Sequence, residues 1–450
     1  MSITRVAPAG LSPAEVHDSL GQHILADGLD MVLDLERSHG VYLYDSKHDR
    51  SLLDFFSSYS TCPLGYNHPK IDTPEFRERI LPSALNKPSN ADLYTTEMAE
   101  FVAVFGATIP DSLARHIFFI EGGALAVENT LKTAFDWKVR KNLAAGKGEK
   151  DTKIIHFENA FHGRSGYTLS LTNTADPRKT QFFPKFDWPR VSTPGLHFPV
   201  DGDELARVAA AEDRTLAEIE HAIVDNPDEI AALILEPIQG EGGDNHFRPE
   251  FLQRLRDLAD ESEFLLIFDE VQTGFATTGR WWSFEHFNVE PDVFAFGKKS
   301  QVCGIAAGPR INDVESVFKV SSRINSTWGG NLADMVRCQR IIEIIEEDRL
   351  LESATKVGRQ LVDGLWKLAA ADDRVSNCRG LGMFTAFDLP STDSRDELLR
   401  RLLAVGLLAL PAGHLSVRFR PPVSLSAEEA NDGLDRVESA LKNLGAGGTA

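Results

Sequence analysis

At 450 residues the chain is too long for one ordinary core, which implies a large domain with at least one smaller one packed against it. The formal charge of −20, from 67 acidic against 47 basic residues, argues against nucleic acid or an anionic membrane surface as the main partner and favours a soluble cytosolic protein. The opening MSITRVAPAGLSPAEVHDSL lacks the basic start and apolar stretch of a signal peptide, no apolar run is long enough to cross a bilayer, and Cys62, Cys303, Cys338 and Cys378 lack zinc or redox spacing and read as free thiols.

Short apolar, β-rich runs alternate with helical patterns through the middle of the chain, the signature of an α/β fold with a parallel sheet covered on both faces. The expected strands are 116–120, 153–156, 230–235, 264–268, 293–296 and 304–307. After Gly123, ALAVENTLKTAFDWKVRKN has apolar residues at helical spacing, glycines before it and basic residues at its end. Residues 200–229 are rich in Asp, Glu and Ala and read as solvated helical faces. Beyond Gly330 the pattern is helical, then turns to short strands at 382–389 and 416–419, which suggests a separate α+β domain; the Gly/Ala tail 445–450 reads as disordered.

Three elements could carry chemistry. In HIFFIEGGALAVEN (His116 to Asn129) turn glycines directly precede a helix, whose free N–H groups and positive dipole end suit a phosphate, although Gly-Gly at such a turn is often only a tight connection. LLIFDEVQTG (Leu265 to Gly274) ends an apolar strand in two acids at the sheet's carboxyl edge. One could pair with a cationic ring nitrogen, or simply cap a helix or form a salt bridge. Adjacent strand residues face opposite ways, so Asp269 and Glu270 do not read as a metal pair. PDVFAFGKK (Pro291 to Lys299) delivers two lysines into uncharged surroundings, where desolvation turns an amine into a usable nucleophile; most lysines of this chain are surface charges. Cys303, five residues after Lys298, is placed to line the site, although a small buried apolar residue is the plainer reading. Phosphate turn, carboxylate and lysine, each after its own strand, are the three groups that a pyridoxal 5′-phosphate (PLP) enzyme needs.

The motifs EGGALAVEN, NAFHGRSGYTLSLT, EPIQGEGG, FDEVQTG, DVFAFGKK and NSTWGGN resemble, in this order, those of class III aminotransferases of PLP fold type I. ALNKPSNAD, FPKFDWPR and GKKSQVCG are most similar to the branch that transfers the ε-amino group of lysine. The resemblance implies a large domain (65–330) with a mostly parallel seven-stranded sheet, and a smaller α+β domain formed by segments 1–64 and 331–450. It implies PLP bound covalently to Lys298, with Asp269 at the pyridine nitrogen. Gly123 and Ala124 would offer N–H groups to the phosphate, Phe161 and Val271 would cover the two ring faces, and Gln272 would lie near the phenolic oxygen. For Phe161 plain core packing competes, and Lys299 is the rival of Lys298; strand alternation would turn Lys299 away. Thr327, with Asn325 and Ser326 beside it, resembles the residue that reaches the phosphate of a neighbouring subunit, which implies a homodimer with shared sites. His162 reads as a structural loop histidine.

On the substrate side the resemblance makes Arg164 and Arg418 carboxylate grips, a role that suits a guanidinium fork. Glu241 would neutralise Arg418 while L-lysine is bound and swing away for 2-oxoglutarate; a permanent salt bridge is the plainer alternative, and Arg420 the alternative partner. Pocket residues near 57–61 and 86–90 would separate lysine from ornithine, acetylornithine or 4-aminobutyrate as substrate. A regulator without catalysis would show an added helix-turn-helix or a basic face, and neither is visible.

Overall fold

The computed structural model describes residues 10–444; the expectations for the first nine residues and for the tail 445–450 lie outside them. A seven-stranded sheet forms the body of the chain, from β1 (His116–Ile120), β2 (Lys153–Phe157), β3 (Arg190–Val191), β4 (Ile230–Leu235), β5 (Leu265–Asp269), β6 (Val293–Phe296) and β7 (Cys303–Ala307). Their spatial order is β1-β7-β6-β5-β4-β2-β3. Strands β6, β5, β4, β2 and β3 run parallel, and β7 runs against both of its neighbours. Strands β4, β5 and β6 are buried along their whole length, which explains why they read as continuous apolar runs rather than alternating ones.

Helix α1 (Gly123–Ala144) packs Ala126, Val127, Leu131 and Ala134 on one face of the sheet, against Ile154, Ala232, Ile267 and Val293. The other face carries Leu233, Phe268, Phe294 and Phe296 and is covered by Leu252, Leu255 and Leu258 of α3 (Pro249–Glu261). The acidic stretch forms one helix, α2 (Gly202–Asp225), started by the Asp201 side chain accepting the N–H of Glu204 and buried only along Val208, Ala211, Glu212, Thr215 and Ile219.

After α4 (Leu332–Glu347) and α5 (Leu350–Ala371) the chain builds a four-stranded antiparallel sheet in the order Ser376–Leu381, Phe384–Asp388, Ser416–Phe419, Leu410–Ala412. The single strand expected at 382–389 is thus the second arm of a hairpin, because Gly382, with φ +57, turns the chain there. Near the N-terminus, Tyr42–Asp45 and Arg50–Asp54 form a hairpin that also pairs in parallel with Leu407–Leu408. The strand β3 was not among those read from the sequence; at two residues it has no periodicity to detect.

Candidate active site

The carboxyl ends of β5 and β6 and the start of α1 open onto a cavity of about 490 Å³. It is lined by Lys298, Asp269, Val271, Gln272, Phe161, Arg164, Gly123 and Ala124, every one of them singled out in the sequence, and also by Thr61, His162, Glu236, Gln301 and Cys303. Register explains the central pair: Asp269 is the last residue of β5 and stands opposite Ala295 of β6, so Lys298 follows just beyond the same edge. Lys298 opens a 3-10 turn with φ +54, a left-handed conformation unusual for lysine. That turn, not strand alternation, separates the two lysines, because β6 already ends at Phe296. Lys298 lines the cavity, whereas Lys299 is 1% exposed and its Nζ has no hydrogen-bond partner.

Burial lowers the Lys298 pKa, while the Asp269 charge pulls it back up and the Arg418 charge lowers it further. The amine is therefore closer to its free, nucleophilic form than a surface lysine. Asp269 Oδ1 accepts the Val271 N–H at 3.0 Å, and His162 Nδ1 lies 2.8 Å from Oδ2, as donor, since a carboxylate only accepts. His162 is thus a direct support of Asp269. Glu270 points the other way and accepts from Thr273, Ser283 and the Phe284 N–H, a buried structural role.

Glu236, at the end of β4, was not assigned a role from the sequence. Its Oε1 accepts the Phe161 N–H at 3.0 Å and its Oε2 the Gly240 N–H at 2.9 Å, so one carboxyl ties the Phe161 loop to the loop that carries Glu241. Burial pushes its pKa up to about 7 from 4.5. Because the folded carboxyl holds its proton more tightly than the unfolded one, its contribution to stability is complete below about pH 4.5 and is lost as pH rises through about 7. Glu236→Gln should flatten the pH dependence of unfolding free energy across that window by about 3 kcal/mol, measured by urea unfolding. An unchanged slope would assign the titration to another group.

Arg418 and Glu241 do not line the cavity themselves but meet it through Gln272: Arg418 donates from its NH2 group to Glu241 Oε2 at 2.8 Å and from NH1 to Gln272 Oε1 at 3.4 Å, and its buried Nε has no partner. Arg420, the alternative considered for Glu241, instead pairs with Asp244 at 2.6 Å, and its guanidinium lies 3.2 Å over the Phe384 ring. Two residues apart, both arginines lie on the same side and both reach Gln272 Oε1, but Arg420 stands beyond the strand's end at Phe419, where Asp244 takes its charge. Gln272 can lie between both arginines because Gly240 has no side chain: a Cβ there would fall 2.5 Å from Gln272 Oε1. Lys179, absent from the sequence reading, donates to Glu241 Oε1 at 2.5 Å. Burial raises the Glu241 pKa, but the Arg418 charge and the Lys179 hydrogen bond outweigh it and leave it below the usual value.

Thr327 and Asn325 do not line this chain's cavity and are exposed at the surface. The Ser89 hydroxyl donates to the Thr327 carbonyl, and Asn90 Nδ2 to the Gly330 carbonyl at 3.0 Å. The segment 86–90 thus braces the Thr327 loop rather than the cavity, where Thr61 alone of the two expected pocket stretches appears.

An open sheet with a half-buried lysine and a buried carboxylate at its carboxyl edge, facing a glycine-started helix, is the arrangement of a class III aminotransferase, and the chain belongs to that family, which it matches over residues 24–441. It is 49% identical over 445 residues to the L-lysine-epsilon aminotransferase of Mycobacterium tuberculosis, covering 98% of each chain, and 47% identical to that of Amycolatopsis lactamdurans, covering 97% and 98%. The 4-aminobutyrate aminotransferase of Dictyostelium discoideum is 30% identical, with 91% and 85% covered. The solved structure of the M. tuberculosis lysine aminotransferase superposes with a TM-score of 0.94 at 49% identity, covering 96% of this chain and all of that one.

Class III aminotransferases use PLP, and the residues here fit it. The 22-residue helix α1 has no side-chain cap at Gly122, which leaves its first N–H groups free for a phosphate at the cavity. A Cβ on Gly123 would stand 3.0 Å from Val271 Cγ1 and narrow that cradle. The carboxylate for a cationic ring nitrogen ends one strand, and the lysine for the aldehyde follows just beyond the end of the adjacent one.

Proposed function

We propose that this chain transfers the ε-amino group of L-lysine to 2-oxoglutarate, giving L-2-aminoadipate 6-semialdehyde, which cyclises, and L-glutamate. Lys298 is the amine that holds the cofactor and, once released by substrate, moves the proton at the reacting carbon. Asp269, which accepts from His162, would hold the ring nitrogen cationic; Gly123 and Ala124 would hold the phosphate, Phe161 and Val271 would cover the ring, and Gln272 would lie near its phenolic oxygen, all of them lining the one cavity. When bound, PLP supplies a ring that accepts electrons as the substrate carbon loses its proton.

The observation that carries the substrate reading is the Glu241–Arg418 pair behind Gln272, a lining residue of the same cavity that Arg164 lines. Lysine presenting its distal amine has no carboxylate near the cofactor, so its α-carboxylate takes Arg164 and Glu241 keeps Arg418 neutralised. 2-Oxoglutarate brings an α-carboxylate to the reacting centre, and Glu241 must then leave Arg418 to it. The likeness to lysine aminotransferases at 46–49% identity supports lysine over 4-aminobutyrate. Mixing holoenzyme with lysine, ornithine or 4-aminobutyrate and following cofactor absorbance tests this: lysine should react fastest, and a protein that ignored lysine but consumed ornithine would overturn it. Glu241→Ala should slow the lysine half-reaction about 10- to 100-fold more than the glutamate one, because it leaves Arg418 buried and unpaired. Equal effects on both would leave only a permanent salt bridge.

The enzyme acts as a cytoplasmic homodimer in this reading, with Thr327 and Asn325 reaching a partner's site. Their exposure supports it, as do the exposed apolar side chains Leu85, Leu93, Tyr94 and Trp328 in the same region. The division at residues 64 and 330 is supported by the shared sheet of Arg50–Asp54 and Leu407–Leu408.

A further inference from the structure

We propose that Lys179 is the receiving partner of the Glu241 gate: it keeps hold of Glu241 when that carboxylate leaves Arg418, and so makes the open state accessible. The geometry divides the Glu241 carboxylate between two cations, with Arg418 on Oε2 at 2.8 Å and Lys179 on Oε1 at 2.5 Å. Because the two bonds use different oxygens, one can break while the other stays. The backbone of Glu241 is pinned, its carbonyl accepting the Gly413 N–H at 2.9 Å, so a change of partner is a side-chain rotation about a fixed point. Lys179 ends the short Pro177–Lys179 turn, with its ammonium 5.8 Å from the ring centroid of Phe161, which lines the cavity. Its side chain is only 17% exposed, and that of Glu241 25%.

The effect of Lys179 differs between the two gate states. With the gate closed, Glu241 has Arg418 whether or not Lys179 is present, and Lys179 is repelled by the Arg418 charge. With the gate open, a substrate carboxylate neutralises Arg418, and of the two cations that pair with Glu241 among the described residues Lys179 is the one left to hold that mostly buried carboxylate. Leaving that carboxylate unpaired carries the full cost of its desolvation. Loss of Lys179 therefore penalises ligands that need Arg418, namely glutamate and 2-oxoglutarate, and spares those that leave the gate closed. Lys179 is a positioning residue here and touches no substrate.

This rests on the gate reading of Glu241. The test compares half-reactions of wild-type, Lys179→Met and Lys179→Arg holoenzymes with L-glutamate and with L-lysine. In Lys179→Met the apparent Kd for glutamate should rise about tenfold relative to that for lysine, and Lys179→Arg should restore most of the ratio. Equal shifts for both amines, or no shift in either, would overturn the proposal, and failure of Lys179→Arg to restore the ratio would count against it as well. A wild type that reacts with glutamate but not with lysine would sink the lysine assignment alone; the same ratio, read with ornithine or 4-aminobutyrate as the distal amine, still decides the role of Lys179.

Discussion

Replacing Lys298 by alanine is expected to lower kcat by about 10⁴-fold or more, because in the proposed mechanism one side chain serves both as covalent anchor and as the acid–base group at the reacting carbon. The visible absorption of the lysine-bound cofactor should vanish with it. Lys298→Arg should be equally inactive, since a guanidinium keeps the charge but offers no free amine. Lys299 makes the natural control. It is buried, burial drives its pKa far down, and its Nζ has no partner, so Lys299→Met removes an unsatisfied polar atom while keeping the volume. Turnover of Lys299→Met should stay within about threefold of wild type and its Tm should hold or rise, since no partner is lost. A Lys299→Met protein without the visible band, beside an active Lys298→Ala protein, would exchange the two assignments.

The second large effect is expected at Asp269. Its carboxylate is 4% exposed, takes a hydrogen bond from His162 and stands beside Lys298 at the strand edge. Asp269→Ala should cut kcat about 10²- to 10³-fold, the scale of losing one preorganised electrostatic contact to developing charge. It should also leave His162 with both ring nitrogens unpartnered in the core, since Nε2 already lacks one, and so lower Tm. Asp269→Asn separates the two effects. The amide can keep the Val271 contact and most of the stability, but it carries no charge, so kcat should fall as far as in Asp269→Ala. An Asp269→Asn enzyme with near-normal kcat would mean that the ring nitrogen does not need a carboxylate.

The apolar runs that become β4, β5 and β6 were legible because strands buried on both faces carry no alternation to misread, and their charged ends marked the cavity directly. Asp269 and Lys298 were found this way. Glu236 carried the same signal, an acid closing an apolar strand, inside a motif already noticed; only its two backbone hydrogen bonds give it a role. The His162–Asp269 contact joins residues 107 apart in sequence and depends on a loop turned at Gly163, φ +121, so no local pattern announces it. Lys179 lies outside every periodic element and every motif, and its link to Glu241 exists only in three dimensions. Arg418 and Arg420 looked interchangeable in SVRFRPP until their places relative to the strand end were fixed.

The central claim is that the distal amine of lysine, not the α-amine, is the group transferred. It is tested most directly by incubating the holoenzyme with 2-oxoglutarate and lysine labelled with ¹⁵N at one nitrogen, and measuring label in the glutamate formed. The ε-labelled substrate should yield labelled glutamate and the α-labelled one should not; label arriving from the α-amine, or no labelled glutamate from either, would contradict the account.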